Sequence, residues 1–170
     1  MKNLVDIIIP VYDEGKNILS TIEALFEHIS FKFKIVICYD YENDNTLTVI
    51  KNSKFSDYNN IHFLKNMDKG PHSAVMTGIL NSDSDYVIVL PADDDYNAPI
   101  IKLMINQALK NNLDIVCPSR FINGLSMQGA SLIKKILVIS ANFLLKNFAS
   151  MPVHDSTNGF RLFSKKLLKI

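Results

Sequence analysis

Tyr86-Val87-Ile88-Val89-Leu90-Pro91-Ala92-Asp93-Asp94-Asp95 decides how this chain is read. An unbroken apolar run, β-branched at Val87, Ile88 and Val89, predicts a strand buried on both faces. Pro91 ends it, and three adjacent carboxylates follow. The same sequence of events recurs in both directions. Val5 to Val11, Phe33 to Cys38, Ile61 to Leu64 and Asp114 to Cys117 are predicted strands. Asn17 to Ile29 carries Ile18, Ile22, Leu25, Phe26 and Ile29 at helical spacing, and further helices are predicted over Asn45 to Asn52, Ser73 to Leu80 and Pro99 to Asn111. Strands alternating with helices imply right-handed crossovers and a mostly parallel sheet covered on both faces. Ligands of such sheets bind beyond the carboxyl ends of the strands. Polar clusters fall at those ends: Tyr12-Asp13-Glu14, Asp40 to Asp44, Asp93 to Asp95 and Ser119-Arg120.

Composition bounds the rest. The 170 residues, 48% apolar and 21% charged, suit one globular domain over 1–170 and exclude disordered or fibrous classes. A net charge of +1 supplies no global basic field for nucleic acid, so no nucleic-acid partner is expected. Cys38 and Cys117, each in an apolar run, read as small buried hydrophobes of a reducing compartment. Met1 to Asp6 lacks a signal-peptide layout, and no stretch reaches the roughly 18 uncharged apolar residues of a membrane span. Leu132 to Phe148 is apolar with Lys134, Lys135 and Lys146 around it. That pattern suits a helix lying at a membrane surface, or a core-packed helix with its lysines in water.

Each polar cluster admits a chemical reading and a plain one. In an extended segment Asp93 and Asp95 point the same way and could share a hard divalent ion such as Mg²⁺ or Mn²⁺; otherwise the cluster is a solvated turn with Asp95 capping the next helix. Carboxylates between Asp40 and Thr46 suit a nucleotide base or ribose, while Asp44 or Asn45 equally suits a helix cap. Lys69-Gly70-Pro71-His72-Ser73 opens a helix, as a phosphate-favouring N-terminus or as a simple Gly-Pro turn. Arg120 and Arg161 are the only arginines. Arginine suits bidentate phosphate recognition, or either one pairs with a carboxylate.

Ile9-Pro10-Val11-Tyr12-Asp13-Glu14-Gly15-Lys16-Asn17-Ile18, Asp40 to Thr46, Gly70 to Gly78, Pro91 to Asp95, Ser119-Arg120-Phe121 and Asp155 to Arg161 follow one another across nearly the whole chain. In that order and spacing they resemble family 2 glycosyltransferases of the GT-A fold. The last two segments resemble the dolichol- or polyprenyl-phosphate mannosyl- and glucosyltransferase branch. The resemblance implies a Rossmann-like three-layer α/β/α sandwich, a nucleotide-sugar donor (UDP- or GDP-hexose), a polyprenyl phosphate acceptor and Mg²⁺ or Mn²⁺. Carried over by resemblance, Pro10, Tyr12, Glu14 and Asp40 surround base and ribose, and Lys69 and Gly70 join the donor side. Asp93 and Asp95 hold the ion. Arg120 meets the acceptor phosphate with help from Lys134, and Asp155 and Arg161 shape that side; Asp93, Arg120 and Asp155 are the implied catalytic set. Tyr39, Asp13, Pro91 and Asn158 depart from the family pattern. Relatives continue beyond the G-F-R segment, so an excised domain, or a short member completed by a partner or by a second copy, is expected. The implied location is cytoplasmic, peripheral on the inner membrane face.

A phosphate acceptor is already anionic and needs no general base, so the expected reaction is direct displacement at the anomeric carbon with inversion. Two alternatives stand beside it. A saccharide or protein hydroxyl as acceptor requires a carboxylate base, for which Asp155 is the candidate. A nucleotide-sugar-binding subunit without turnover requires none. A generic dinucleotide-binding domain is disfavoured, because no G-x-G-x-x-G follows the first strand.

Overall fold

The computed structural model describes residues 3–121, 131–151 and 153–168. The readings of the two chain ends, at Met1–Lys2 and at 169–170, fall outside them. In chain order the elements are β1 (Val5–Val11), α1 (Ile18–His28), β2 (Phe33–Tyr39), α2 (Asn45–Lys51), β3 (Ile61–Lys65) and α3 (Pro71–Leu80), then β4 (Tyr86–Val89), α4 (Ile100–Asn111), β5 (Ile115–Val116), α5 (Leu132–Phe148), β6 (Arg161–Ser164) and α6 (Lys165–Leu168). They form two compact units, Met1–Val116 with Leu162–Ile170, and Cys117–Arg161.

The first unit is built on a sheet of order β3-β2-β1-β4-β6-β5. β1 lies between β2 and β4, parallel to both, which is why Ile7, Ile8 and Ile9 are completely buried. A strand covered on both faces must be apolar throughout. Its one charge, Asp6, is also buried; it stands opposite Lys34 in the β1/β2 register and pairs with it at 3.0 Å. Ser82 and Ser84 donate their hydroxyls to the remaining Asp6 oxygen sites.

Helices cover both faces, as a three-layer α/β/α sandwich requires. On one face α3 closes over Ile8, Val36, Cys38 and Val87 through Ala74. Gly78 permits that approach: a Cβ there would lie 2.4 Å from Ile8 Cγ2 and 3.0 Å from Cys38 Sγ. On the other face Phe26 of α1 packs on Phe33 of β2, with Phe55 and Tyr58 completing an aromatic cluster at centroid distances of 4.8 to 5.7 Å. Burial pushes the Cys38 thiol up to about 12, that of an inert core residue.

Two features differ from the sequence expectations. β6 and α6 were not anticipated; β6 stands between β4 and a two-residue β5, with which it pairs antiparallel. Cys117, expected buried, is only partly so. In the second unit α5 spans the predicted residues, and of the two readings open for it the core-packed one is not realised among the described residues. Asn142 is its one buried residue, while Leu132, Ile133, Leu137, Phe143 and Phe148 are 62–80% exposed. Among the described residues no helix is long and apolar enough to cross a membrane.

Candidate functional site

Parallel register fixes what meets at the carboxyl edge of the sheet. Val11 stands opposite Tyr39, so the next residues, Tyr12 and Asp40, leave β1 and β2 side by side; Ile8 opposite Val89 brings the end of β4 to the other flank of β1. A cleft of ≈ 260 Å³ opens at this edge, lined by Pro10, Tyr12, Glu14, Asp40, Gly70 and Ala74. A larger concavity of ≈ 470 Å³ lies at the opposite edge, around Leu4, Tyr86 and Lys165, and holds none of the expected residues. Lys69 is exposed on the turn before Gly70 and does not line the cleft.

Hydrogen bonds hold the cleft walls. Asp40 accepts from Asn66 Nδ2 at 2.7 Å and from the Gly70 N–H at 2.9 Å, which ties the end of β2 to the end of β3 and to the start of α3. A carboxylate has about four lone-pair sites, so these two bonds leave Asp40 acceptor capacity for a ligand. Gly70 caps α3 at φ 101°, a conformation that disfavours any side chain, and Pro71 follows at the first helical position. The β1–α1 loop is fastened to the start of α2 residue by residue. Asp13 N–H donates to Asp44 Oδ2 (3.2 Å), Glu14 N–H to Thr46 Oγ1 (2.9 Å) and Gly15 N–H to Asn45 Oδ1 (2.8 Å). Asp13 has φ 56°, the left-handed region that Asn and Asp tolerate best. Asp44 is buried and caps α2 through the Thr46 N–H at 2.8 Å; of the two readings open for it, the cap is the one realised.

Tyr12 is 66% exposed above the cleft and meets Tyr41 edge to face at 5.5 Å. Tyr41 is held in turn by a hydrogen bond to Asp13, which together with burial and nearby carboxylates pushes its phenol above the ordinary range. Tyr39 closes β2. Its hydroxyl donates to Glu42 at 3.4 Å, and Lys65 pairs with Glu42 at 2.9 Å, so the position remains in a charged network.

Pro91 to Asp94 form a turn closed by the Asp94 N–H on Pro91 O at 3.3 Å, so Asp93 lies within that turn and Asp95 just beyond it, and the extended backbone expected across Asp93 is not kept. Asp95 does not cap α4, whose N-cap is Pro99 without a side-chain bond. Asp94 instead folds back onto Asn97, accepting from its side-chain amide at 2.8 Å, and burial sets its carboxyl above the ordinary value. Asp93 and Asp95 are exposed, and among the described residues no third His, Cys, Asp or Glu joins them in a metal-binding group. Two open carboxylates fit a hard six-coordinate ion that fills its shell with water and diphosphate oxygens; they do not make an all-protein cage.

The second unit carries its own polar cluster. Arg120 forks onto buried Asp155: Nε to Oδ2 and Nη2 to Oδ1, both at 2.7 Å, with the Arg120 N–H adding a third bond at 3.1 Å. Arg120 Nη2 also donates to Thr157 Oγ1 at 2.8 Å. Burial alone would raise the Asp155 carboxyl, but the Arg120 hydrogen bonds and charge outweigh it and hold the group below the ordinary range. Nε and Nη2 are thereby committed, and Nη1 is the face of the guanidinium without a partner among the described residues. Arg161 staples its own loop, donating from Nε to Asn158 O at 2.8 Å and from Nη2 to Ser156 O. Asn158 donates to Pro118 O at 3.1 Å. Lys134 is exposed in the first turn of α5.

Residues 6–170 match the sequence profile of Glycosyl transferase family 2. The chain belongs to that family. It is 26% identical over 174 residues to the dolichol-phosphate mannosyltransferase of Pyrococcus furiosus, covering 97% of this chain and 47% of that protein. It is 28% identical over 182 residues to the UDP-N-acetylglucosamine–dolichyl-phosphate N-acetylglucosaminyltransferase of Methanococcus voltae, covering 98% and 72%. Against the putative glycosyltransferase CsbB of Bacillus subtilis it is 26% identical, covering 97% and 49%, so the chain spans about half the length of two of these curated relatives. Among solved structures it resembles glucosyl-3-phosphoglycerate synthase of Mycobacterium tuberculosis, crystallised with Mn²⁺, UDP and glucosyl-3-phosphoglycerate, at TM-score 0.72 and 12% identity over 98% of this chain and 58% of that one. It also resembles Staphylococcus aureus TarS in complex with UDP, at TM-score 0.65 and 16% identity over 99% and 48%. These likenesses carry the fold: the family 2 chain has the GT-A architecture.

The structure thus gathers Pro10, Tyr12, Glu14, Asp40 and Gly70 around one cleft, leaves Lys69 outside it, and joins Arg120 to Asp155. Sequence reasoning missed Asn66, Tyr41 and Thr157, which hold those groups in place. Thr157 had a signal, since it lies two residues after Asp155; Asn66 had none, because an Asn after a strand reads as an ordinary turn residue.

Proposed function

We propose that this family 2 domain is a glycosyltransferase that moves a hexose from UDP- or GDP-hexose to a polyprenyl phosphate, inverting the anomeric centre. The observation that carries the reading is the Arg120–Asp155 fork. A general base needs a free lone pair and a pKa near the working pH, whereas Asp155 accepts from Arg120 through both oxygens and is held low. That disfavours a hydroxyl acceptor and favours one that arrives as an anion, for which Arg120 Nη1 offers two donors without a hydrogen-bond partner among the described residues. The two dolichol-phosphate relatives support the same acceptor class.

In this mechanism Pro10, Tyr12, Glu14 and Asp40 seat the nucleoside in the cleft. Asp93 and Asp95 would hold the divalent ion, Mg²⁺ or Mn²⁺, which supplies charge neutralisation for the departing diphosphate. Arg120, aided by Lys134 and Arg161, orients the acceptor phosphate. One of its oxygens forms the bond to the anomeric carbon as the bond to the nucleotide diphosphate breaks, and the electron pair leaves with the diphosphate. No proton has to move. The uncovered apolar side of α5, with Lys134, Lys135 and Lys146, suits a peripheral seat on the membrane face where such an acceptor resides.

The test is nucleotide release from UDP- and GDP-hexoses with a short-chain prenyl phosphate and Mn²⁺. Arg120→Ala is expected to raise acceptor KM and lower turnover at least about tenfold, while nucleotide-sugar binding stays within about twofold. Equal loss of nucleotide binding rules out this role for Arg120.

A further inference from the structure

The geometry points to Asn142 as the positioning residue that ties helix α5 to the acceptor-side arginine; this rests on the phosphate role proposed above for Arg120. α5 buries one side chain, and that side chain is a polar one. An amide in the middle of a helix gains nothing from burial unless its groups are bonded, and those of Asn142 are. The two Nδ2 hydrogens serve Val138 O of its own helix at 2.9 Å and Thr157 Oγ1 at 3.0 Å, the latter shared with Asp155 Oδ1 at 3.4 Å; Oδ1 accepts from the Ser156 N–H at 2.7 Å. Three consecutive loop residues, Asp155, Ser156 and Thr157, are therefore gripped by one side chain.

Thr157 relays the grip. Its hydroxyl donates to Asp155 Oδ1 at 3.3 Å and accepts from both Asn142 Nδ2 and Arg120 Nη2. A hydroxyl has one donor and two acceptor sites, so every site is used. Rotating the guanidinium costs the Thr157 bond, and moving Thr157 costs the Asn142 bond. The orientation of the free Nη1 face is thus set from α5 through Asn142. Asn142 touches neither substrate in this scheme; it acts through Thr157 and Asp155.

The chain carries two arginines, Arg120 and Arg161, so a ¹⁵N spectrum of the arginine Nε–H groups holds two side-chain signals, assigned with an Arg161→Lys variant. Asn142→Ala is expected to speed solvent exchange of the Arg120 Nε–H about tenfold, with a smaller effect on Arg161, whose Nη2 is bonded to Ser156 O. The similarly sized Asn142→Leu keeps the bulk but can neither donate to Thr157 nor accept from the Ser156 N–H, and it gives the same result if removal of bulk is not the cause. In kinetics with short-chain prenyl phosphate, both variants raise acceptor KM about five- to tenfold with donor KM unchanged. An unchanged Arg120 signal in folded Asn142→Leu overturns the inference. If the unaltered chain transfers no sugar to any prenyl phosphate, the functional proposal fails by itself, and the Nε–H exchange still decides the role of Asn142.

Discussion

Asp155 receives hydrogen bonds from Arg120 through both oxygens, is completely buried in its side chain, and faces a guanidinium that is one-quarter exposed. Because its folded pKa lies below the ordinary carboxylate value of about 4, its contribution to stability is complete above that value. It is lost as the pH falls through the lowered folded pKa. Urea melts taken between about pH 6 and pH 3 should show a decline that Asp155→Asn partly abolishes. At neutral pH the same variant, which leaves Arg120 without its counter-charge, should cost about 3 kcal/mol. A pH slope identical in the two proteins would remove Asp155 as its source. Asp40 presents the contrasting case of a carboxylate that organises the cleft and still lines it. Its bonds to Asn66 and Gly70 were invisible in the sequence, because they join residues 26 and 30 positions away.

At the scale of elements, α2 is short, and its start serves as the clamp for the β1–α1 loop. Asp44 accepts from the Thr46 N–H of its own helix and from the Asp13 N–H of the loop, while Thr46 and Asn45 hold Glu14 and Gly15. Asp44→Ala should cost about 1–2 kcal/mol through the lost cap. It should also weaken nucleotide binding, because Glu14 and Tyr12 are released with the loop; isothermal titration with UDP and GDP measures this, and unchanged affinity in the destabilised variant would refute the clamp. The elements themselves were largely legible. β1, β2 and β4 are apolar apart from the Asp6–Lys34 pair because both faces are covered, and α1 and α4 place Ile22, Leu25, Ile101, Met104 and Ile105 on one side. β6 was not legible. Arg161-Leu162-Phe163-Ser164 is too short and too mixed for a periodic signal, and its place in the sheet is set by β4 and β5, not by its own residues. The turn from Pro91 to Asp94 was not legible, because a turn closed by a backbone bond leaves no mark on side-chain pattern. The Arg120–Asp155 fork was legible only as two separate motifs, since the partners are 35 residues apart.

For the molecule as a whole, α5 presents an exposed apolar surface flanked by lysines. Leu137 and Leu144 are 63% and 53% exposed, and the helix carries three lysines and no acidic residue. Anionic vesicles should therefore sediment the chain, and the double variant Leu137→Asp, Leu144→Asp should stay in solution with a melting temperature unchanged within about 2 °C, as expected for exposed sites. A matching drop in melting temperature would show instead that these residues are packed. At the far end of the sheet, Asp6 meets Lys34 at one fixed rung. A slip of one residue between β1 and β2 would part those charges and turn every side chain to the opposite face. The same slip would displace Tyr12 from Asp40 by about 3.3 Å. The cleft at the carboxyl edge is thus gauged from the other end of its strands, as a key cut at the bow sets the depth of its tip.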